Sequence, residues 1–109
     1  MSGVESTGNV RIYQGDDYSS AAPLTWTDDG TWPSSLSSAA TVTVVLAGVA
    51  TYTATFVEGT TATVTLELTD TQTTAIGRWR GAFQVLATEG GDTTTLQEGT
   101  WVTRARVSE

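Results

Sequence analysis

The side chains best placed to do acid–base or metal chemistry in this sequence are carboxylates, and two adjacent pairs stand out, Asp16-Asp17 and Asp28-Asp29. Cysteine and histidine are both absent. That removes disulfides, thiolate ligands, the commonest general base and the commonest metal ligand. A calcium loop would need about six to eight oxygens, and neither pair belongs to a spaced ligand set of that kind. A glycosidase would need two carboxyls held about 5–10 Å apart in a cleft. Here the acids fall almost entirely in turns of a small domain. Each pair lies beside a glycine, Gly15 or Gly30. Glycine supplies positive φ and aspartate bonds back to its own backbone, so both pairs read as turns. The expectation is a protein without catalysis, metal or cofactor.

The cations form a clearer pattern. All five are arginines: Arg11, Arg78, Arg80, Arg104 and Arg106. Arg78 and Arg80 alternate on the outer face at the start of one expected strand, and Arg104 and Arg106 do the same at the end of the last. If these strands pair as a hairpin through the 89–98 turn, all four reach one end of the domain and the acidic turn lies at the other. Like charges facing each other across strands are unfavourable. Relief comes from internal acids such as Glu67, from solvent, or from a partner's carboxylates. The last reading makes Arg78, Arg80, Arg104 and Arg106 a partner-binding set. Opposite charge at the two ends suits head-to-tail packing or docking on a second protein.

Of the four tryptophans, Trp26, Trp79 and Trp101 are in phase with apolar neighbours and read as core. Trp32 sits in a loop beside Pro33, either as a lid over an open end of the fold or as a contact residue for a partner. Exposed indoles also stack on sugar rings, so the alternative function is a carbohydrate-binding or receptor-binding module.

These residues must be positioned by strands. Val10 and Ile12 alternate with Arg11 and Tyr13, the period of a half-buried strand. The run from Tyr18 to Trp26 contains Pro23, which predicts an edge strand or a late start. Three clear alternating runs follow at Thr41–Leu46, Thr51–Val57 and Ala62–Leu68, with turns at Ala47-Gly48 and at 58–61. One short helical connector is expected over Asp70–Ile76, capped by Thr69 or Asp70 and ended by Gly77. Then comes a longer strand, Arg78–Thr88, in which Gly81 predicts a bulge or the close approach of another segment. After the turn at 89–92, the segments Thr93–Leu96 and Thr100–Val107 form a return strand interrupted near Glu98-Gly99, with Trp101 and Val107 facing inward. The total is about seven to nine short strands with frequent turn signals, the pattern of an all-β antiparallel sandwich.

The chain has 109 residues, the size of one domain. Residues 1–8 are small and polar and read as a flexible arm, leaving 9–109 as the domain. The net charge of −7 disfavours a phosphate backbone as partner. No apolar run approaches the roughly 20 residues that span a bilayer, so no membrane partner is expected. The N-terminus lacks the layout of a cleaved signal peptide.

Two stretches carry a family resemblance. IYQGDDY followed by LTWTDDG resembles the opening of the small N-terminal domain of siphophage upper baseplate proteins, and SSLSSAATVTV continues that pattern. Leu68-Thr69-Asp70 through Trp79, then Leu96-Gln97-Glu98-Gly99-Thr100-Trp101-Val102, resembles the family's later layout of helical connector, aromatic-bearing strand and Leu-x-x-Gly turn into a final strand. Where the family has a Pro-Ile-Asp-Leu-like step, this chain has Trp32-Pro33-Ser34-Ser35-Leu36, and it stops at Glu109 where baseplate proteins continue. The resemblance implies an immunoglobulin-like β-sandwich without catalysis, located in the virion. It points to a free-standing adaptor, decoration or tail-baseplate subunit. The implied partners are other phage virion proteins and copies of itself.

Overall fold

A computed structural model describes residues 4–5, 7–19 and 22–105. The fold is all-β, with strands β1 (Val10–Tyr13), β2 (Leu24–Thr27), β3 (Thr41–Leu46), β4 (Ala50–Val57), β5 (Thr63–Leu66), β6 (Trp79–Glu89) and β7 (Asp92–Arg104). One helix, α1 (Asp70–Ile76), connects β5 to β6. It begins at a Thr69 capping box closed by Gln72 and ends at Gly77, whose φ is +74°. No helix among the described residues is long and apolar enough to cross a membrane.

The strands form one seven-stranded sheet in the order β1-β7-β6-β3-β4-β5-β2, curled into a half-barrel. All pairings are antiparallel except β1 with β7. The purely antiparallel arrangement expected from the sequence is corrected at that pair. A parallel neighbour needs a long crossover, and here the crossover is the rest of the domain, because β1 and β7 are the first and last strands. β2 starts late, one residue after Pro23, and lies at the sheet edge.

Curling brings the inward residues of β2 against those of β6 and β7. Trp26 on β2 lies 5.8 Å from Phe83 on β6 between ring centroids, and Phe83 lies 5.8 Å edge-on from Trp101 on β7. Offset or edge-to-face rings use the aromatic quadrupole favourably. The two indole N–H groups are both satisfied although buried: Trp101 Nε1 donates to Thr103 Oγ1 (2.9 Å) and Trp26 Nε1 donates to the Gly8 carbonyl (3.0 Å). The second bond reaches across the gap between the sheet's two edges. Val4 bridges antiparallel to Val10, and the Glu5 N–H donates to the Asn9 carbonyl (2.8 Å), so the described part of the 1–8 segment turns back along β1.

The β6–β7 hairpin turns at Gly90-Gly91, both with positive φ (+64° and +90°), as a two-residue hairpin loop favours. Its one irregularity lies at Leu96. Val85 pairs with Gln97 and Leu86 with Thr95, leaving Leu96 as the extra residue. The reason is parity: Leu96 and Trp101 are both buried, yet an odd separation in a regular strand would send them to opposite faces. The interruption expected at Glu98-Gly99 is therefore absent from its place. Gly99 instead stays in the ladder, and the position takes glycine because a Cβ there would overlap Asn9 Oδ1, which accepts from the Thr100 N–H (3.0 Å). Nor does a bulge occur at Gly81. The close approach there is made by the indole of Trp79, two residues earlier on the same face.

Candidate functional site

The register of three strands assembles the arginines. Val102 on β7 is paired on one side with Arg11 of β1 and on the other with Arg80 of β6. Arg11 and Arg80 are exposed, so the row Arg11–Val102–Arg80 lies on the outward face. Their Cα atoms are about 10 Å apart, two strand spacings. One step further along the same face, Arg104 stands beside the exposed Tyr13. Arg78, also exposed, immediately precedes Trp79, whose partner is Thr103, which puts it across from Arg104. Arg78, Arg80 and Arg104 are thus gathered at one end, as the hairpin reading expects. Arg106 and Val107 lie outside the described residues. The sequence reading missed Arg11 and Tyr13 as members of this face, because only the parallel β1–β7 pairing places them there.

Carboxylates share this end with the arginines: Asp16 and Asp17 follow β1, and Glu67 and Asp70 lie where β5 gives way to α1. Among the described residues the one ion pair joins Arg11 to Glu5 (3.4 Å) with both side chains about half exposed, and such a pair contributes about 0–1 kcal/mol. Glu67 forms no ion pair with any of them. Beside the arginine rows, on the same outward face, lies a depression of about 550 Å³ lined by Val45, Ala47, Ala82, Gln84, Glu98 and Gly99. Small side chains leave it open, and Glu98 is its one charged group.

The opposite end of the domain is acidic. Antiparallel pairing sends the 90–91 turn, the 58–62 turn and the segment after β2 to that end. It carries Asp28, Asp29, Glu58, Glu89 and Asp92 and, among the described residues, no arginine. Asp28 accepts from the Gly30 N–H (2.7 Å) and the Trp32 N–H (3.3 Å), and Asp29 from the N–H and hydroxyl of Thr31 (3.1 and 2.5 Å). At the arginine end, Asp17 accepts from the Ser19 N–H (3.0 Å). The aspartate pairs therefore act in turns, as expected. Among the described residues no group of three potential metal ligands occurs.

Two of these carboxyls are held below their ordinary range, Asp29 by the hydroxyl and then the N–H of Thr31, and Glu89 by the hydroxyl and then the N–H of Ser37. Ser37 reaches Glu89 at 2.7 Å (Oγ) and 2.9 Å (N). A depressed folded-state pKa stabilises the fold above the ordinary glutamate range, and that contribution is lost as pH falls through the lowered folded value. Ser37→Ala removes the hydroxyl donor. The Glu89 titration, followed by NMR, is expected to move upward towards an ordinary glutamate, and an unchanged midpoint would contradict the assignment.

Three tryptophans offer no platform for a sugar ring. Trp26, Trp32 and Trp101 are 2%, 6% and 0% exposed, and Trp79 is half-buried over Gly81. Trp32 packs in the core cluster at the acidic end, the lid of its two sequence readings. Its burial withdraws the indole from any surface that a partner could reach. Comparison with protein-family models, curated proteins and solved structures returns no match to this chain.

Proposed function

We propose that this protein is a virion structural subunit of a bacteriophage, a small adaptor, decoration or tail-baseplate protein that acts through protein–protein contacts and not through catalysis. The observation that carries the docking half of this reading is the outward row Arg11–Val102–Arg80 with Arg104 and Arg78 beside it. These are like charges packed on one sheet face, and among the described residues the one ion pair made by any of them is the exposed Arg11–Glu5 contact. Such an arrangement is unfavourable in isolation and becomes favourable against a partner's carboxylates. The virion half is supported by the order of turn and strand motifs that resembles the baseplate N-terminal domain. The buried indoles favour this reading over a carbohydrate-binding module, which needs exposed coplanar aromatics.

The test is antibody labelling of particles from the producing culture, viewed by electron microscopy. Label at regular positions over the capsid would make the protein a head subunit, and label at the tail tip a baseplate subunit. Particles without label would overturn the proposal.

A further inference from the structure

Between β2 and β3 the chain runs from 28 to 40 without strand or helix. It is pinned at its start, where the Asp28 N–H donates to the Ala62 carbonyl (2.9 Å). Beyond Asp28 its backbone–backbone hydrogen bonds among the described residues are local, from Leu36 to Pro33 and from Ala40 to Ser37. The hydrogen bonds that leave the segment are the two from Ser37 to the Glu89 carboxylate at the end of β6, 2.7 Å from Oγ and 2.9 Å from N. A carboxylate acceptor makes these the stronger, charge-assisted kind.

The rest of the segment's hold on the domain is apolar and incomplete. Trp32 is buried in the core cluster and Leu36 packs against it half-buried. Burying the indole removes a large apolar area from water. Its Nε1–H, however, is buried and meets no acceptor among the described residues, whereas the indoles of Trp26 and Trp101 both donate. An unmet buried donor offsets much of what the ring gains. Nor does the segment seal against the β6–β7 hairpin. A depression of about 330 Å³ lies between them, lined by Pro33, Ser35, Leu36, Glu89, Asp92 and Thr94.

We propose that residues 30–38 form a lid over the acidic end of the core and that the Glu89 carboxylate is its latch. Breaking the Ser37–Glu89 contact lets the segment swing on its ends at Asp28 and Ala40 and carries the Trp32 indole into solvent, while the strands stay folded. Opening hydrates Nε1 and so restores the hydrogen bond that the closed state lacks. Residues 30–40 carry no charge of their own, and no arginine among the described residues lies at this end, so no cation competes with Ser37 for the carboxylate. The device is independent of the arginine face.

Exchange of the indole N–H protons with solvent, followed by NMR on the full chain at neutral pH, tests this. The four tryptophans give four signals, and Trp32→Phe assigns the one that belongs to the lid. Glu89→Ala removes both acceptor oxygens. It is expected to speed exchange at Trp32 by about tenfold or more, the factor set by losing a hydrogen bond to a charged group, with Trp26 and Trp101 unchanged. Ser37→Ala deletes the hydroxyl donor alone and should show a smaller rise of the same single signal. Asp92→Ala removes the neighbouring carboxylate across the hairpin and should leave Trp32 at its wild-type rate. No rise at Trp32 in Glu89→Ala or Ser37→Ala overturns the latch. So does an Asp92→Ala variant that speeds Trp32 as much as Glu89→Ala. A rise shared equally by Trp26 and Trp101 also overturns it, because the domain would then open as a whole and not at a lid.

Discussion

Trp101→Ala is expected to destabilise the domain by about 3–5 kcal/mol, the range for emptying a fully buried aromatic site. Trp101 is 0% exposed, lies edge-on to Phe83, and satisfies Thr103 through its own N–H. Alanine removes all three contributions and opens a cavity where β6, β7 and β2 meet. The loss is a large share of the total, since domains of this size are stable by about 5–15 kcal/mol. Thermal unfolding should show a midpoint lower by at least about 12 °C, at about 4 °C or more per kcal/mol. Trp101→Phe keeps most of the ring and should fall between the two. A midpoint within about 4 °C of wild type for the alanine variant would mean that the aromatic trio is not the centre of the core.

Gly8→Ala has the second largest expected effect, although Gly8 lies outside every strand. Two costs add. Its φ is +87°, where an L-residue loses about 1–2 kcal/mol. A Cβ would also overlap the Gln97 side-chain amide, the far end of a flexible side chain, so overpacking adds only about 1 kcal/mol, the low end of its range. The overlap is relieved either by swinging the Gln97 amide aside or by moving the Gly8 carbonyl off Trp26 Nε1. Denaturant unfolding should therefore report a loss of about 2–3 kcal/mol. Gly48→Ala is the control: Gly48 has a similar φ of +75° with open space around it, so only the backbone cost applies. Equal losses for the two variants would show that the packing of Gly8 against Gln97 contributes nothing.

The strands that were legible in the sequence are those whose side chains alternate regularly. Thr41–Leu46 matches β3 and Asp70–Ile76 matches α1, because period-2 alternation and the Thr69–Gln72 cap are local signals. The features that were not legible depend on backbone groups or on distant pairing. The role of Gly8 is played by a carbonyl, which no side-chain pattern reveals. The parallel partnership of β1 with β7 joins the two ends of the chain, and no local motif encodes it. For that reason Arg11 and Tyr13 were absent from the expected arginine cluster, while Arg78, Arg80 and Arg104 were grouped correctly from hairpin register alone. Gly99 resembled a break, yet the break is at Leu96, where only the parity of Leu96 against Trp101 demands an extra residue. Trp32 could be read as lid or contact because a Trp-Pro loop has no periodicity to fix the direction of its ring.

The arginine face is proposed to dock onto a phage particle. The most direct measurement is co-sedimentation of tagged wild-type protein and of the Arg80→Glu, Arg104→Glu double variant with purified particles through a density gradient. Wild type is expected to band with the particles and the folded double variant to remain at the top. Equal banding of both, or of neither, would contradict a docking role for this face.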